Sequence, residues 1–143
     1  MKKIYLIGSL RNLQVPLIGK AIRAEGYEVF DDWFSGGYEA DDKWQAYEQT
    51  RGRHYGEALY GEAARNIFQF DLRHLNSSDA AVMVAPAGKS GHLELGYMAK
   101  TKPTFILLPG EPERWDVMLQ LATRVVFKLE DLIIELNGAF NGV

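Results

Sequence analysis

The sequence predicts a single α/β domain: a doubly wound parallel sheet of about five strands with helices on both faces. Three observations predict it. Short β-rich apolar runs alternate with segments of helical periodicity from one end of the chain to the other. The runs are continuously apolar rather than alternating, as strands covered on both faces must be. The length of 143 residues, with 47% apolar and 24% charged, suits one domain with a substantial core.

The elements follow in order. "KIYLIGS" (Lys3 to Ser9) is β-rich and closed by glycine, so it reads as a first, central strand. In "LQVPLIGKAIRAEGY" the positions Val15, Leu17, Ile18, Ala21 and Ile22 share one helical face. Pro16 suits the first turn and Gly26 the stop. "YEVFDDW" reads as a second strand, which completes a right-handed βαβ unit. Gly36–Gly61 is an aromatic, acidic and glycine-rich insertion. Asp41–Thr50 is expected to be helical and "RGRHYG" a loop, the whole serving as a lid or an oligomer contact.

"EAARNIFQFDLRHL" is expected to be helical and is broken by "NSSD". "AAVMVAPA" is the third strand and "GHLELGYMAKTK" its helix, with Pro103 at the exit. "TFILLPG" is the fourth strand and "EPERWDVMLQLAT" a helix with acidic residues in its first turn. "RVVFK" is a short fifth strand, and "LEDLIIELNGAF" is a closing helix expected to end near Asn137-Gly138. This order is that of a flavodoxin-like sheet, whose ligands sit at the carboxyl ends of the strands. "GSLRN", "DDWFSGG", "PAGKSGHLE" and "PGEPER" should therefore gather along one edge.

Composition narrows the function. The net charge of −3, without a basic stripe, gives no case for binding duplex nucleic acid. The absence of cysteine excludes disulfides and thiolate metal sites, and is compatible with the cytoplasm. No segment approaches membrane-spanning length. His54, His74 and His92 show no metal-ligand spacing, so neither metal nor cofactor is expected, and His74 reads as a surface or packing residue.

Several residues have a chemical reading beside an ordinary one. In "GSLRN", Gly8 permits a tight turn, Ser9 offers a hydroxyl and Arg11 a fork for phosphate or carboxylate. An ordinary strand-to-helix turn with an exposed arginine fits the same residues. In "PAGKSGH" the small residues Gly88, Ser90 and Gly91 precede a helix whose free amides can cradle an anion. Lys89 and His92 can add charge there. Ser90 can equally be a simple N-cap. Glu94 is placed in the first helical turn, where the dipole favours its ionised form. Asp71 and Tyr5 can reach the same edge, and two carboxylates there suit glycosidic cleavage. Trp33 can stack on a base, and Asp31 or Asp32 can accept hydrogen bonds from it. Asp79, at the amino end of the third strand, reads as structural.

Together "IYLIGSLRN", "FDLRHLNSSDAAVMVAP", "GKSGHLELGYMAKTKPTFIL" and "GEPERWDVM" give the chain a resemblance to the nucleoside 2-deoxyribosyltransferase superfamily. That superfamily includes deoxynucleoside 5′-monophosphate N-glycosidases. The resemblance implies that Glu94 is the nucleophile at the anomeric carbon, that Asp71 assists the base or sugar, and that Tyr5 holds the nucleophile. It implies a 5′-phosphate site at Gly8, Ser9 and Arg11, with Ser90 as a second anchor and Gly91 and His92 beside it. It further implies a homo-oligomer with sites near the subunit interface, where Met118 and Gln120 occupy the segment that reaches a neighbouring site. The sequence departs from the transferase branch at Gly88, where that branch carries an aspartate that recognises the base.

The resulting expectation is cleavage of the N-glycosidic bond of a (2′-deoxy)nucleoside or its 5′-monophosphate, with transfer of the sugar to water or a second base. A non-catalytic sensor of a nucleotide derivative is the alternative from another class. A phosphoribohydrolase or nicotinamide-releasing hydrolase is a third.

Overall fold

The computed structural model describes residues 1–141. Five parallel strands form one sheet in the order β2-β1-β3-β4-β5. They are β1 (Lys3–Ile7), β2 (Glu28–Phe30), β3 (Ala80–Val84), β4 (Thr104–Leu107) and β5 (Arg124–Val126). The helices are α1 (Gln14–Ala24), α2 (Ala40–Thr50), α3 (Tyr55–Ala58), α4 (Glu62–Ser77), α5 (Lys89–Ala99) and α6 (Leu129–Asn141). The doubly wound parallel sheet expected from the alternation of elements is therefore present.

The period-2 alternation of each strand divides the core between two faces. Ile4 and Leu6 of β1 join Val82, Val84, Phe105 and the apolar stripes of α1 and α6. Tyr5 and Ile7 point the other way, toward Met83, Ile106, and Leu75, Leu95 and Met98 of α4 and α5. The register sets Tyr5 beside Phe30 on one side and Ala81 on the other. Asp79 accepts the Lys3 amide through Oδ2 at 2.8 Å, which ties the amino ends of β1 and β3 together. That is the structural role its position implies.

An aromatic clamp seats α4. The His74 ring stacks on Phe30 with centroids 3.9 Å apart, and Phe70 meets both rings edge-on or tilted. His74 is thus a packing residue, and its neighbour on the helix, Asp71, is fixed over the same sheet face. Gly26 ends α1 with a φ of +94°, the left-handed stop that its position predicts.

Three sequence expectations are corrected. "EPERWDVMLQLAT" is not an α-helix: the chain is irregular to Asp116 and then forms one 3-10 turn, Val117–Leu121. Its apolar side chains explain why. Trp115, Val117, Met118 and Leu121 stay exposed and only Leu119 and the small Ala122 pack on the core, too narrow an apolar stripe to dock a helix. The last helix does not stop at Asn137-Gly138 but runs on to Asn141, because Leu132 and Leu136 anchor it to the core and Tyr27 bonds to Asn137. The loop "RGRHYG" is interrupted by α3, which His54 and Glu57 start with a capping box.

Candidate active site

In a sheet ordered 2-1-3-4-5 the connections diverge between β1 and β3, and a crevice opens beyond their carboxyl ends. The structure has a cleft of about 540 Å3 there, lined by Ser9, Arg11, Asn12, Leu13 and Gln14 after β1 and Pro86, Ala87 and Gly88 after β3. Two of the polar strand ends singled out in the sequence therefore face each other across it.

Tight packing, rather than an unusual backbone angle, accounts for Gly8 and Gly91 at this edge. A Cβ on Gly8 would lie 2.6 Å from Val15 Cγ2, and one on Gly91 would lie 2.9 Å from Ile7 Cγ2. Gly8 lets the turn pass against the start of α1, and Gly91 lets α5 sit directly on the end of β1. Ser9 Oγ accepts the Arg11 amide at 3.1 Å, so the serine shapes the turn. The Arg11 side chain extends into solvent.

Asn12 was not singled out in the sequence, yet it joins the two halves of the cleft. It is 9% exposed. Its Oδ1 accepts the Gln14 amide at 3.0 Å and its Nδ2 donates to the Val84 carbonyl at 3.4 Å. An asparagine two residues before a helix start is the signal that could have found it.

On the other face of β1 the structure brings Tyr5, Glu94 and Asp71 together. The Tyr5 hydroxyl donates to Glu94 Oε2 at 2.6 Å. Burial pushes the Glu94 carboxyl up from 4.5 to about 7; the bond from Tyr5 works against this, and the nearby charge of Asp71 adds to it. Burial also raises Asp71. Tyr5 is pushed far above the ordinary phenol value, first by burial and then by the charge of Glu94, so it remains a hydrogen-bond donor. The tyrosine favours the ionised form of the glutamate, and the charge of Asp71 disfavours it.

This corrects the expected origin of Glu94's state. The helix starts at Lys89 with Gly88 as its N-cap, so Glu94 is its sixth residue and no acidic residue occupies the first turn. The dipole fades beyond that turn, and burial dominates. The same start places Ser90 inside the helix and exposed, not at the cap. The His92 Nδ1 pairs with the Gly88 carbonyl at 2.8 Å, folding the ring back over the start of its own helix.

The second strand end is partly committed to structure. The Arg23 guanidinium grips Asp31 at 2.6 and 3.3 Å, which removes Asp31 from the set of free acceptors. Asp32 is exposed at the start of a 3-10 turn, Asp32–Gly36, on the side where its charge acts on His74. The Trp33 indole N–H donates to the Leu6 carbonyl at 2.7 Å, beyond the end of β2. Its ring bridges both core clusters beside Gly8, so it forms a fixed wall at the sheet edge.

Met118 is not brought to this group. It is exposed on the 3-10 turn after β4, where its amide donates to Asp116. Gln120 lines a separate cleft of about 680 Å3 with Trp115, Val117 and Phe127. Among the described residues no group of three or more His, Asp or Glu side chains could hold a metal ion, and no helix is long and apolar enough to cross a membrane.

No family model matches the chain, and no curated protein sequence does. Solved structures do. The chain is similar to a 2-deoxyribosyltransferase from the psychrotolerant bacterium Bacillus psychrosaccharolyticus, with a TM-score of 0.59 and 20% identity over 91% of this chain and 89% of that one. It is similar to a conserved protein from Enterococcus faecalis V583, with a TM-score of 0.63 and 16% identity over 96% and 98%. It is also similar to the Clostridium botulinum CMP N-glycosidase BcmB, with a TM-score of 0.56 and 13% identity over 95% and 98%. At these identities the likeness is one of fold. It extends over nearly the whole of each chain, so the sheet and its covering helices belong to the shared fold.

Proposed function

We propose that this protein cleaves the N-glycosidic bond of a (2′-deoxy)nucleoside or its 5′-monophosphate, with Glu94 as the nucleophile. The observation that carries the reading is the bond from the hydroxyl of the buried Tyr5 to Glu94 Oε2, 2.6 Å long, with a second carboxylate, Asp71, close enough to act on the glutamate. A surface glutamate needs neither a buried phenol nor a coupled partner. The fold shared with a 2-deoxyribosyltransferase and a CMP N-glycosidase supports the same chemistry.

In this reading the ionised Glu94 attacks the anomeric carbon as the C–N bond breaks, and the bonding pair leaves with the base. The developing positive charge on the sugar is stabilised by the carboxylate. Tyr5 holds Glu94 in place, and Asp71 hydrogen-bonds the departing base or the sugar. Water, or a second base, then attacks the glycosyl ester and frees Glu94. Trp33 and Asp32 border the end that would receive the base.

The 5′ end would lie in the cleft between Ser9–Gln14 and Pro86–Gly88. Arg11 and the first amides of α5 are suited to a phosphate there, which favours a monophosphate over a nucleoside. The reading includes a homo-oligomer working in the cytoplasm. The exposed side chains of Trp115, Val117, Met118 and Leu121 offer an apolar surface for association.

The test is incubation with a panel of nucleosides and 5′-monophosphates, with and without a free second base, read by chromatography. Base release that disappears in a folded Glu94→Gln protein is the expected result. Full release by that variant would overturn the reading.

A further inference from the structure

The insertion expected to be a lid or an oligomer contact meets the cleft at Arg11. Arg11 Nη2 lies 3.6 Å from Asp42 Oδ2 on the first turn of α2, and its guanidinium carbon lies 6.0 Å from the Tyr38 ring centroid. Both charged side chains are well exposed, at 69% and 72%. Arg11 also lines the cleft with Ser9, Asn12 and Gly88. The arginine that faces the crevice is thus already engaged by a carboxylate and an aromatic ring from the insertion.

We propose that Asp42 is a displaceable counter-ion to Arg11, so that α2 sets how strongly the cleft prefers a 5′-monophosphate over the uncharged nucleoside. This rests on the reading of Arg11 as the phosphate ligand. Arg11 and Asp42 together carry no net charge. A phosphate that binds the fork displaces this loose contact, and the aspartate then faces it as a like charge. A long, exposed ion pair is weak, so a dianion with a bidentate fit can displace it. Tyr38 keeps the guanidinium plane against the insertion during the exchange. Asp42 acts through Arg11 and is a positioning residue, not a catalytic one.

Inorganic phosphate titrated by calorimetry into wild type, Asp42→Asn and Glu39→Gln proteins tests this directly. Glu39 is the control: it removes the same charge from the same segment but pairs with Lys43 at 3.7 Å, not with Arg11. Asp42→Asn should bind phosphate about two- to fivefold more tightly, the equivalent of one exposed ion pair, and Glu39→Gln should match wild type. The kcat/KM for a 5′-monophosphate should rise by the same factor in Asp42→Asn, with that for the nucleoside unchanged. Equal phosphate affinity in wild type and Asp42→Asn, an equal gain in Glu39→Gln, or no phosphate binding in any of the three would overturn the proposal. Phosphate binding as expected with no base release would instead sink the proposed function and leave the counter-ion role standing.

Discussion

The Tyr5 hydroxyl donates a 2.6 Å hydrogen bond to Glu94 Oε2 from the middle of β1, on the sheet face that α4 and α5 cover. The phenol is buried and cannot ionise at ordinary pH, so it is a permanent donor aimed at one carboxylate oxygen. It leaves the other oxygen free to act. Replacing Glu94 by Gln keeps an acceptor for Tyr5 and removes only the nucleophile. Base release should fall by about a thousandfold or more, while circular dichroism and thermal unfolding show an intact fold. Retained activity would show that the attacking group lies elsewhere.

The pH dependence of kcat/KM should report the same carboxylate. Glu94 sits at about 7, and only its ionised form can attack. Activity should therefore fall on the acid side of about 7. The two neighbours move that limb in opposite directions. Tyr5→Phe removes a bond that stabilises the ionised form, so the limb moves to higher pH. Asp71→Asn removes a like charge, so the limb moves to lower pH. Shifts of the same sign in both variants would contradict the assigned couplings.

Stability should follow the raised Glu94 value as well. In the unfolded chain the group titrates near 4.5 and in the fold near 7. Folding therefore favours the protonated form. The resulting contribution is fully present below the unfolded value and is lost as pH rises through the folded one. The loss amounts to about 2–3 kcal/mol. Glu94→Gln cannot ionise and escapes it. Urea denaturation should show the variant gaining on wild type by that amount between about pH 4.5 and pH 8, whereas a pH-independent difference would mean the carboxylate is not penalised by burial.

Arg11 separates the two substrate classes. Its side chain is exposed and shares no contact with Tyr5, Glu94 or Asp71 among the described residues, so its loss should leave the chemistry alone. Arg11→Ala should lower kcat/KM for a 5′-monophosphate about ten- to a hundredfold, the worth of charge-assisted hydrogen bonds, and change that for the nucleoside by less than about twofold. Equal losses on both substrates would remove the phosphate assignment.

What the sequence made legible, and what it did not, follows from the range of the interactions. The strands could be read because burial on both faces leaves a continuous apolar run, as in "AAVMV". Polar strand ends could be placed on one edge because a parallel sheet aligns them. The state of Glu94 could not be read. A helix start two residues earlier than expected moved it out of the first turn, and its value is set first by burial and then adjusted by side chains from β1 and α4 far away in the chain. Trp33 was legible as an aromatic at the edge, but its bond to the Leu6 carbonyl depends on β2 ending at Phe30. The segment around Met118 was misread because acidic residues and proline imitate a helix start, while only the packing reveals that no apolar stripe is buried.

Asn12 could be read from the sequence only as a local cap before α1, and its link to β3 appears only in the fold. Its amide oxygen holds the first turn of α1 and its amide nitrogen reaches the end of β3. Asn12→Ala removes both links at a nearly buried position and should cost about 1–2 kcal/mol in urea denaturation. The cleft walls then lose their tie, so the KM for a 5′-monophosphate should rise with little change in kcat. Asn12→Asp keeps the acceptor for the Gln14 amide but sets a carboxylate oxygen against the Val84 carbonyl and adds a negative charge to the cleft. It should therefore bind inorganic phosphate more weakly than Asn12→Ala. If the aspartate variant bound phosphate as well as the alanine variant, the cleft between these two turns would not be where the anion sits.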